Sequence, residues 1–525
     1  MKNFTILMLI LIINISACAQ RDKKETASFT VQSTESTVNQ NKIRRRPAPD
    51  KESPNWWYQQ GAGKVYQLAK ENPFPKKAKN VILIVGDGMN MSTVTAARIL
   101  AGQKQGQLGE EFELEFEKFP QTALSKTYSL DFQVSSSAAT MSAMMTGVKT
   151  NKSHISVNGN GVTNECDTVF GNEVVTLLEL AEQSSMSTGV VTTARLTHAT
   201  PAATYAHTVT RYWEADEDIP VSQRNKGCKD IARQLIEFPY GDGLEVAMGG
   251  GRRNFLPNST TDPEYPNKKG ERLDGRDLTK EWTEKYENAA SVWNLDQFND
   301  INVKTTKHLL GLFEPKHMKY AHDKLQGEPD EPSISQMTEK ALGILNHQNK
   351  PFFLMIESGR IDHAHHDGNA FRALHETIEL NNAVKTVMEN VDLNETLIIV
   401  TADHAHTFNM GGYPQRGNPI LGLVKGPKWK KPSIIEYAKD DNGNPYTTLA
   451  YTNGPGHVKT EDQKKLTHEQ VTSPDYLQAA AVPRFEETHG GEDVAIYATG
   501  AGSYTVKGVL EQNVIFHIMK HALGL

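Results

Sequence analysis

Six residues of this chain share one arrangement. Asp87, Glu357, Asp362, His366, Asp403 and His404 each lie at, or just after, the end of a short apolar run. "VILIV" leads into "GDG" and Asp87; "FFLMI" leads into "ESGRIDHAHH"; "LIIVT" leads into "ADHAH", which also carries His406. A fourth run, 187–194, leads into "LTHATPAATYAH", with His198 and Thr200. One such residue alone reads most simply as a cap or a loop residue. Several acidic strand ends converging on one place repel one another unless cations neutralise them. Imidazole mixed with carboxylate suits Zn²⁺. Asp362 and His366 are four apart, so one helical turn aims both at a single ion. Asp403 and His404 place two adjacent ligands at one strand end. Carboxylate and hydroxyl oxygens, with Glu357 among them, suit Mg²⁺ instead. The stretch "VSSSAAT" supplies Ser135, Ser136 and Ser137. A serine hydroxyl is barely ionised at neutral pH and reacts only beside a base or a metal. No histidine is placed by sequence to act as that base, so a cation is the expected activator.

The apolar runs themselves read as strands. Residues 81–85, 187–194, 244–251, 351–358 and 395–404 are short, rich in Val, Ile and Leu, and bounded by glycine or polar residues. Such runs suit strands buried on both faces. Helical patterns over 171–184, 229–238, 334–347 and 370–391 alternate with them. That alternation predicts an α/β fold: a large, mostly parallel sheet with helices on both faces. In an open parallel sheet ligands sit at the carboxyl ends of the strands, where the six residues fall. Residues 252–335 and 412–485 are richer in Pro, Lys and Asn and read as insertions on this core. No internal repeat is present.

The chain has 525 residues, a formal net charge of -7, and 38% hydrophobic and 23% charged residues, ordinary values for a globular protein. A mildly acidic chain gives no electrostatic reason to bind nucleic acid. Arg44, Arg45 and Arg46 form a basic run inside a polar linker. Lys2, the apolar run "FTILMLILIINI" and "SAC" read as an export signal too short for a membrane span. Small residues directly before Cys18 resemble a bacterial lipoprotein signal. Cys18 is then the lipidated first residue of the mature chain, anchored to a membrane and facing the periplasm or cell surface. Residues 19–52 read as a flexible tether, and 53–70 as a patchy helix that opens with Ser and Pro. Cys166 and Cys228 are the other two cysteines. Export favours a disulfide between them; two separate buried thiols are the alternative.

Six motifs, in order, carry a family resemblance: "VGDGMNMSTVTAARILAGQ", "SSAATMSAMMTGVKTN", "VVTTARLTHATPAATYAHTVTRYW", "ESGRIDHAHH", "VTADHAHTFNMGGYP" and "EETHGGEDVAIYATG". From about residue 54 to the C-terminus the chain resembles alkaline phosphatases, animal-type members above all. The resemblance implies hydrolysis of phosphate monoesters, with Ser137 as the nucleophile that becomes a phosphoserine. It implies one zinc on Asp362, His366 and His489, and a second on Asp87, Asp403 and His404 with Ser137. Magnesium would lie on Asp87, Thr200 and Glu357. Arg211 would clamp two phosphate oxygens, a geometry that the guanidinium fork fits. His198, Ser136, His363 and His406 would stand behind these groups. A calcium site is implied on Glu264, Phe313, Glu314 and Glu331, with Asp330 as the alternative to Glu331. A homodimer is implied too, with 53–70 reaching across and 412–485 as a crown-like segment near its surface. The nearest rival is a phosphodiesterase or phosphonate-cleaving relative, which should lack the clamping arginine. A sulfatase would need a different motif around the nucleophile, and a non-catalytic phosphate-scavenging lipoprotein would not need the full ligand set. One position departs from the family pattern. The residue before the nucleophile is usually Asp, whose carboxylate holds the arginine, and here it is Ser136. A neutral hydroxyl offers no charge-assisted partner, so Arg211 is expected to be more mobile and product phosphate to be held less tightly.

Overall fold

The computed structural model describes residues 77–324, 326, 330–428, 430–459 and 465–525. The export signal, Cys18, the tether with its arginine run, and the helix expected over 53–70 lie outside the described residues. The apolar runs form the middle of a ten-stranded sheet: β1 Asn80–Gly86, β2 Gln121–Lys126, β3 Ser187–Arg195, β4 Val246–Gly250, β5 Ala289–Val292, β6 His308–Leu312, β7 Phe352–Ser358, β8 Thr396–Ala402, β9 Val494–Gly500 and β10 Gly508–Glu511. Their order across the sheet is β10-β2-β9-β8-β1-β7-β3-β4-β6-β5. All neighbours run parallel except β9, which is antiparallel to both β2 and β8.

The helices that matter for the site are α1 Met91–Lys104, α2 Ser137–Thr146, α3 Leu177–Gln183, α4 Ile334–His347, α5 Arg360–His366, α6 Ala370–Asn390 and α7 Val514–Leu523. Successive side chains of a strand point to opposite faces, and β1 splits accordingly. Val81, Leu83 and Val85 join the core with Met141 of α2, Leu177 of α3 and Ile515 of α7. Ile82 and Ile84 join the opposite core with Ile334 of α4 and Leu380 of α6. All five β1 side chains are fully buried, each worth roughly 1.5–3 kcal/mol of hydrophobic stabilisation. α4 follows its sequence cues: Ser333 caps it, Gln336 closes the capping box, and buried positions recur at 334, 337, 341 and 345.

Several boundaries differ from the sequence expectation. The helix expected from 171 begins at Leu177, because Thr176 and Glu179 form a capping box there. The preceding residues are extended, with Val157 and Glu173 bridged and the Val174 amide donating to the Ser156 carbonyl. The helix expected over 229–238 spans only Ile231–Ile236, capped by Asp230. The segment 252–335 is not merely an insertion on the core, since it contributes β5 and β6 to the main sheet. β2 mixes exposed with buried positions and β10 has only exposed and half-buried ones, so neither shows an apolar run; β9 is buried throughout but mixes Val and Ile with Thr and Gly. The segment 412–485 carries structure separate from the main sheet. There Leu449–Gly454 lies between Phe408–Met410 and Ala480–Pro483 and pairs with both, and Lys425–Lys428 pairs with Lys431–Tyr437. Cys166 and Cys228 form a disulfide, packed beside Val169 and Trp213. No described helix is long and apolar enough to cross a membrane.

Two carboxyl groups straddle Thr188 near the start of β3. The Thr188 hydroxyl donates to Glu182 at 2.6 Å and its amide donates to Glu245 at 2.6 Å. Both glutamates are buried. Burial first, then the charge of Glu245, pushes Glu182 up to about 9, and burial pushes Glu245 up to about 7. Asp242 adds to the upward push on both, and Lys350 opposes it. The native chain therefore holds protons that the unfolded chain has released once the pH exceeds the ordinary carboxyl range, so their stabilisation is full below that range and falls as pH rises through 7 to 9. Glu182→Gln should flatten this decline: melting temperatures of the variant and the native chain should converge in mild acid and separate, in favour of the variant, towards pH about 9.

Candidate metal centre

Strand register builds the site. Gly86 of β1 lies beside Ala402 of β8, and Val85 lies beside Glu357 of β7. Asp87 and Asp403 therefore leave adjacent strands at the same level, with Glu357 next to them and Thr192 of β3 beyond it. All three acids are fully buried. Gly88 makes the turn after Asp87 at φ 68°, and a Cβ there would lie 2.3 Å from the His406 ring. Its amide donates to Asp403 Oδ1 at 3.0 Å.

The first ligand group is Asp362, His366, His406 and His489. Asp362 and His366 share one face of α5, with Nε2 of His366 3.4 Å from Asp362 Oδ1. His489 lies on a short strand, His489–Gly490, paired with Ala405–His406, and its Nε2 is also 3.4 Å from Asp362 Oδ1. The outer nitrogens fix the tautomers. His366 Nδ1 faces the Glu487 carbonyl at 2.7 Å, and His489 Nδ1 faces the Ser135 carbonyl at 2.8 Å. A carbonyl only accepts, so both Nδ1 atoms carry hydrogen and both Nε2 atoms turn lone pairs inward. Those two Nε2 atoms lie 3.1 Å apart, a repulsive approach for two lone pairs that a cation between them relieves.

His406 behaves differently. Its Nδ1 lies 2.5 Å from Glu487 Oε2 and its Nε2 lies 2.8 Å from Asp362 Oδ1. Although burial opposes its charge, Glu487 and then Asp362 push it up to about 10. With both nitrogens donating, it has no lone pair for a metal and serves Asp362 as a fixed imidazolium. Asp362 in turn accepts from His406, which supplies the positive charge beside this buried carboxylate.

The second group gathers at His404. Its Nε2 lies 3.3 Å from Asp87 Oδ1, 3.4 Å from Asp403 Oδ2 and 3.1 Å from Ser137 Oγ. Ligand atoms of His404, Asp87 and Asp362 lie within 4.8 Å of one another, with Asp403 and Ser137 beside the same nitrogen. Ser137 is the first residue of α2, whose N-terminal amides and dipole favour an anion there. The third group is Asp87, His198 and Glu357. Thr192 donates to Glu357 Oε2. Both Asp87 oxygens, Glu357 Oε1, Thr200 Oγ1 and His198 Nδ1 are buried with no protein hydrogen-bond partner. Burial, then the charges of Asp362, Asp403 and Glu357, push Asp87 far up; burial pushes Asp403 up and Glu357 up to about 7. Buried, unpartnered carboxylates crowded by like charges are the donor set that divalent cations fit. Asp362 with His366 and His489, Asp87 with Asp403 and His404, and Asp87 with Glu357 and Thr200 therefore present donors that fit metal ions, with His406 and His198 beside them rather than among the ligands.

Around this centre some expected contacts take other forms. Ser136 does not hold Arg211. Its hydroxyl donates to the Lys152 carbonyl, while Arg211 Nη2 lies 2.8 Å from His198 Nε2. His363 packs against the rings of His198 and His317; desolvation and then Arg360 hold its ring well below the usual imidazole value. In the acidic group farther out, Asp330 joins Glu264 and Glu314, with Phe313 immediately before Glu314. Glu331 accepts from the Lys319 amide at 2.8 Å and pairs with Lys324 at 3.0 Å through Oε1, while its Oε2 is buried without a hydrogen-bond partner. Lys319 and Arg252 already neutralise part of that cluster. Sequence reasoning missed three residues. Glu487 orients His406 and stands two before His489, an alternation that could have flagged it. Glu214 pairs with Arg195 behind His198, and His317 packs its ring against that of His198; neither lies in a motif that announces it.

Comparisons with known proteins follow the same geometry. A family model described as alkaline phosphatase matches residues 78–525. An alkaline phosphatase of Gadus morhua is 43% identical over 479 residues, covering 89% of this chain and 96% of its own. The tissue-nonspecific alkaline phosphatase of Gallus gallus is 42% identical over 484 residues, 90% of each chain. Among solved structures, an alkaline phosphatase from the Antarctic bacterium TAB5 matches with a TM-score of 0.57 at 22% identity, over 86% of this chain and 99% of its own. That of Thermus thermophilus matches with a TM-score of 0.60 at 23% identity, over 87% and 94%. At such identities these two structures support the fold alone.

Glu487 tests how far the outer shell governs the metal ligands. Glu487→Gln keeps the shape but removes the charge that makes His406 an imidazolium and braces Asp362. Metal affinity, measured by competition with a chromogenic chelator, should fall by about 10–100-fold; an unchanged affinity would show that the pair is packing alone.

Proposed function

This chain belongs to the alkaline phosphatase family and is a phosphatase; we propose that it hydrolyses phosphate monoesters through a phosphoserine on Ser137. The observation that carries this reading is Ser137 Oγ, 3.1 Å from His404 Nε2 at the head of α2, inside a buried cage of unpartnered carboxylates. Asp362, His366 and His489 would hold one zinc ion. Asp87, Asp403 and His404 would hold a second, and Asp87, Thr200 and Glu357 a magnesium ion. When bound, these ions would lower the pKa of the Ser137 hydroxyl and stabilise charge on the entering and leaving oxygens.

The remaining work falls to the chain. Arg211 and the first amides of α2 bind the non-bridging phosphate oxygens and set phosphorus in line with Ser137 Oγ. Ser137 gives up its proton and attacks, so the Oγ–P bond forms as the bond from phosphorus to the alcohol oxygen breaks. The alcohol leaves with a proton. Water then attacks the phosphoserine from the vacated side, the P–Oγ bond breaks, and Ser137 regains a proton as phosphate departs. Outside the phosphoryl group little of the buried cage is left to grip the alcohol, which supports a broad substrate range. The arginine clamp favours monoesters over the diester and phosphonate readings.

The outer acidic group of Glu264, Glu314 and Asp330, with the Phe313 carbonyl, would take a calcium ion. An exported chain anchored through Cys18, and a homodimer, complete the proposal; the signal-like N-terminus and the Cys166–Cys228 disulfide support export.

Two measurements test the core of it. Chelation should abolish p-nitrophenyl phosphate hydrolysis, zinc with magnesium should restore it, and elemental analysis should find two zinc and one magnesium ion per chain. Ser137→Ala should lower kcat by at least about 10³-fold and abolish acid-trapped phosphoenzyme while metal content stays unchanged. Phosphoenzyme persisting in that variant would move the nucleophile elsewhere.

A further inference from the structure

Arg211 lacks the partner that a working guanidinium ordinarily has. Among the described residues it forms no ion pair with a carboxylate, and its one hydrogen bond runs from Nη2 to His198 Nε2 at 2.8 Å. Ser136, beside the nucleophile, spends its hydroxyl proton on the Lys152 carbonyl. His198 by contrast is held on every side. Its amide donates to the Arg195 carbonyl at 2.8 Å, and its own carbonyl accepts from the Ala202 amide at 2.9 Å. Its ring lies 5.3 Å from the rings of both His317 and His363. His317 is fixed in turn by the Arg195 amide, and Arg195 by a two-pronged pair with Glu214. Arg211 has only donors to offer, so His198 Nε2 accepts, and the ring hydrogen sits on Nδ1. The tautomer that aims Arg211 is thus also one whose Nδ1 cannot ligate a metal, although a nitrogen of this ring lies within 4.8 Å of oxygens of Asp87 and Glu357.

We infer that His198 is the positioning residue for Arg211 in this chain, a rigid neutral acceptor doing what Ser136 does not. The inference rests on Arg211 binding the phosphoryl group, as proposed above. Its signature is non-additivity. A carboxylate at 136 would take over the guanidinium with a charge-assisted bond and leave His198 with nothing to aim.

The experiment is a double-mutant cycle on the metal-loaded enzyme, read as the dissociation constant of inorganic phosphate by calorimetry and as KM against kcat. His198→Ala should weaken phosphate binding about 10-fold in the native background and by no more than about 2-fold in the Ser136→Asp background. His198→Gln, which keeps an acceptor, should recover most of the affinity. Elemental analysis of every variant in excess magnesium separates this effect from metal loss, because lost magnesium would weaken binding alike in both backgrounds. An equal loss in both backgrounds overturns the inference. Arg211→Ala is the control on the premise: if phosphate affinity survives it, the clamp itself is wrong, whereas a large loss there with an additive cycle overturns only the part given to His198.

Discussion

The interaction on which this architecture turns is a repulsion. Asp403 and Asp87 emerge at one level from neighbouring parallel strands, with Glu357 two positions back on the next strand, all three buried from solvent. Oxygens of Asp87 and Glu357 approach within 4.8 Å, where two like charges cost roughly 3 kcal/mol even at an effective dielectric of 20. The sheet cannot relax this by sliding, because a one-residue slip of β1 would exchange its two buried faces. The strain is therefore stored where cations can remove it, and the surrounding apolar layers supply the stability that lets a fold carry it.

The second determinant is the direction in which the histidines point. His366 and His489 are tethered through backbone carbonyls, and His406 through the Glu487 carboxylate. One tether, the Ser135 carbonyl, belongs to the segment that leads directly into Ser137. Ligand orientation and nucleophile placement are consequently parts of one rigid unit rather than two sites that happen to adjoin.

Much of this was legible from residue types alone. The buried strands declare themselves by composition, and Asp362 with His366 by helical spacing. What escaped has physical reasons. β2 and β10 are partly solvated and lack an apolar signature. β5 and β6 lie in a Pro- and Lys-rich stretch whose bias masked them. Sequence could flag the departure at Ser136, but it could not show where the arginine would turn, because the choice between a hydroxyl and an imidazole depends on backbone positions 62 residues apart in the case of His198 and Ser136. Likewise Asp330 and Glu331 are adjacent and chemically alike; sequence could not show that Asp330 gathers with Glu264 and Glu314 while one Glu331 oxygen pairs with Lys324.

The place of β9 has a consequence for biosynthesis. This strand, among the last of the chain, fits between β2 and β8, and His489 lies just before it. A polypeptide made from its N-terminus has already produced Asp87, Asp362, His366 and Asp403 before it produces the residue that closes their cage or the strand that fills the gap in the sheet. Such long-range pairing delays the folding nucleus. The central sheet and the ligand cage can therefore both be completed only when the chain is nearly whole.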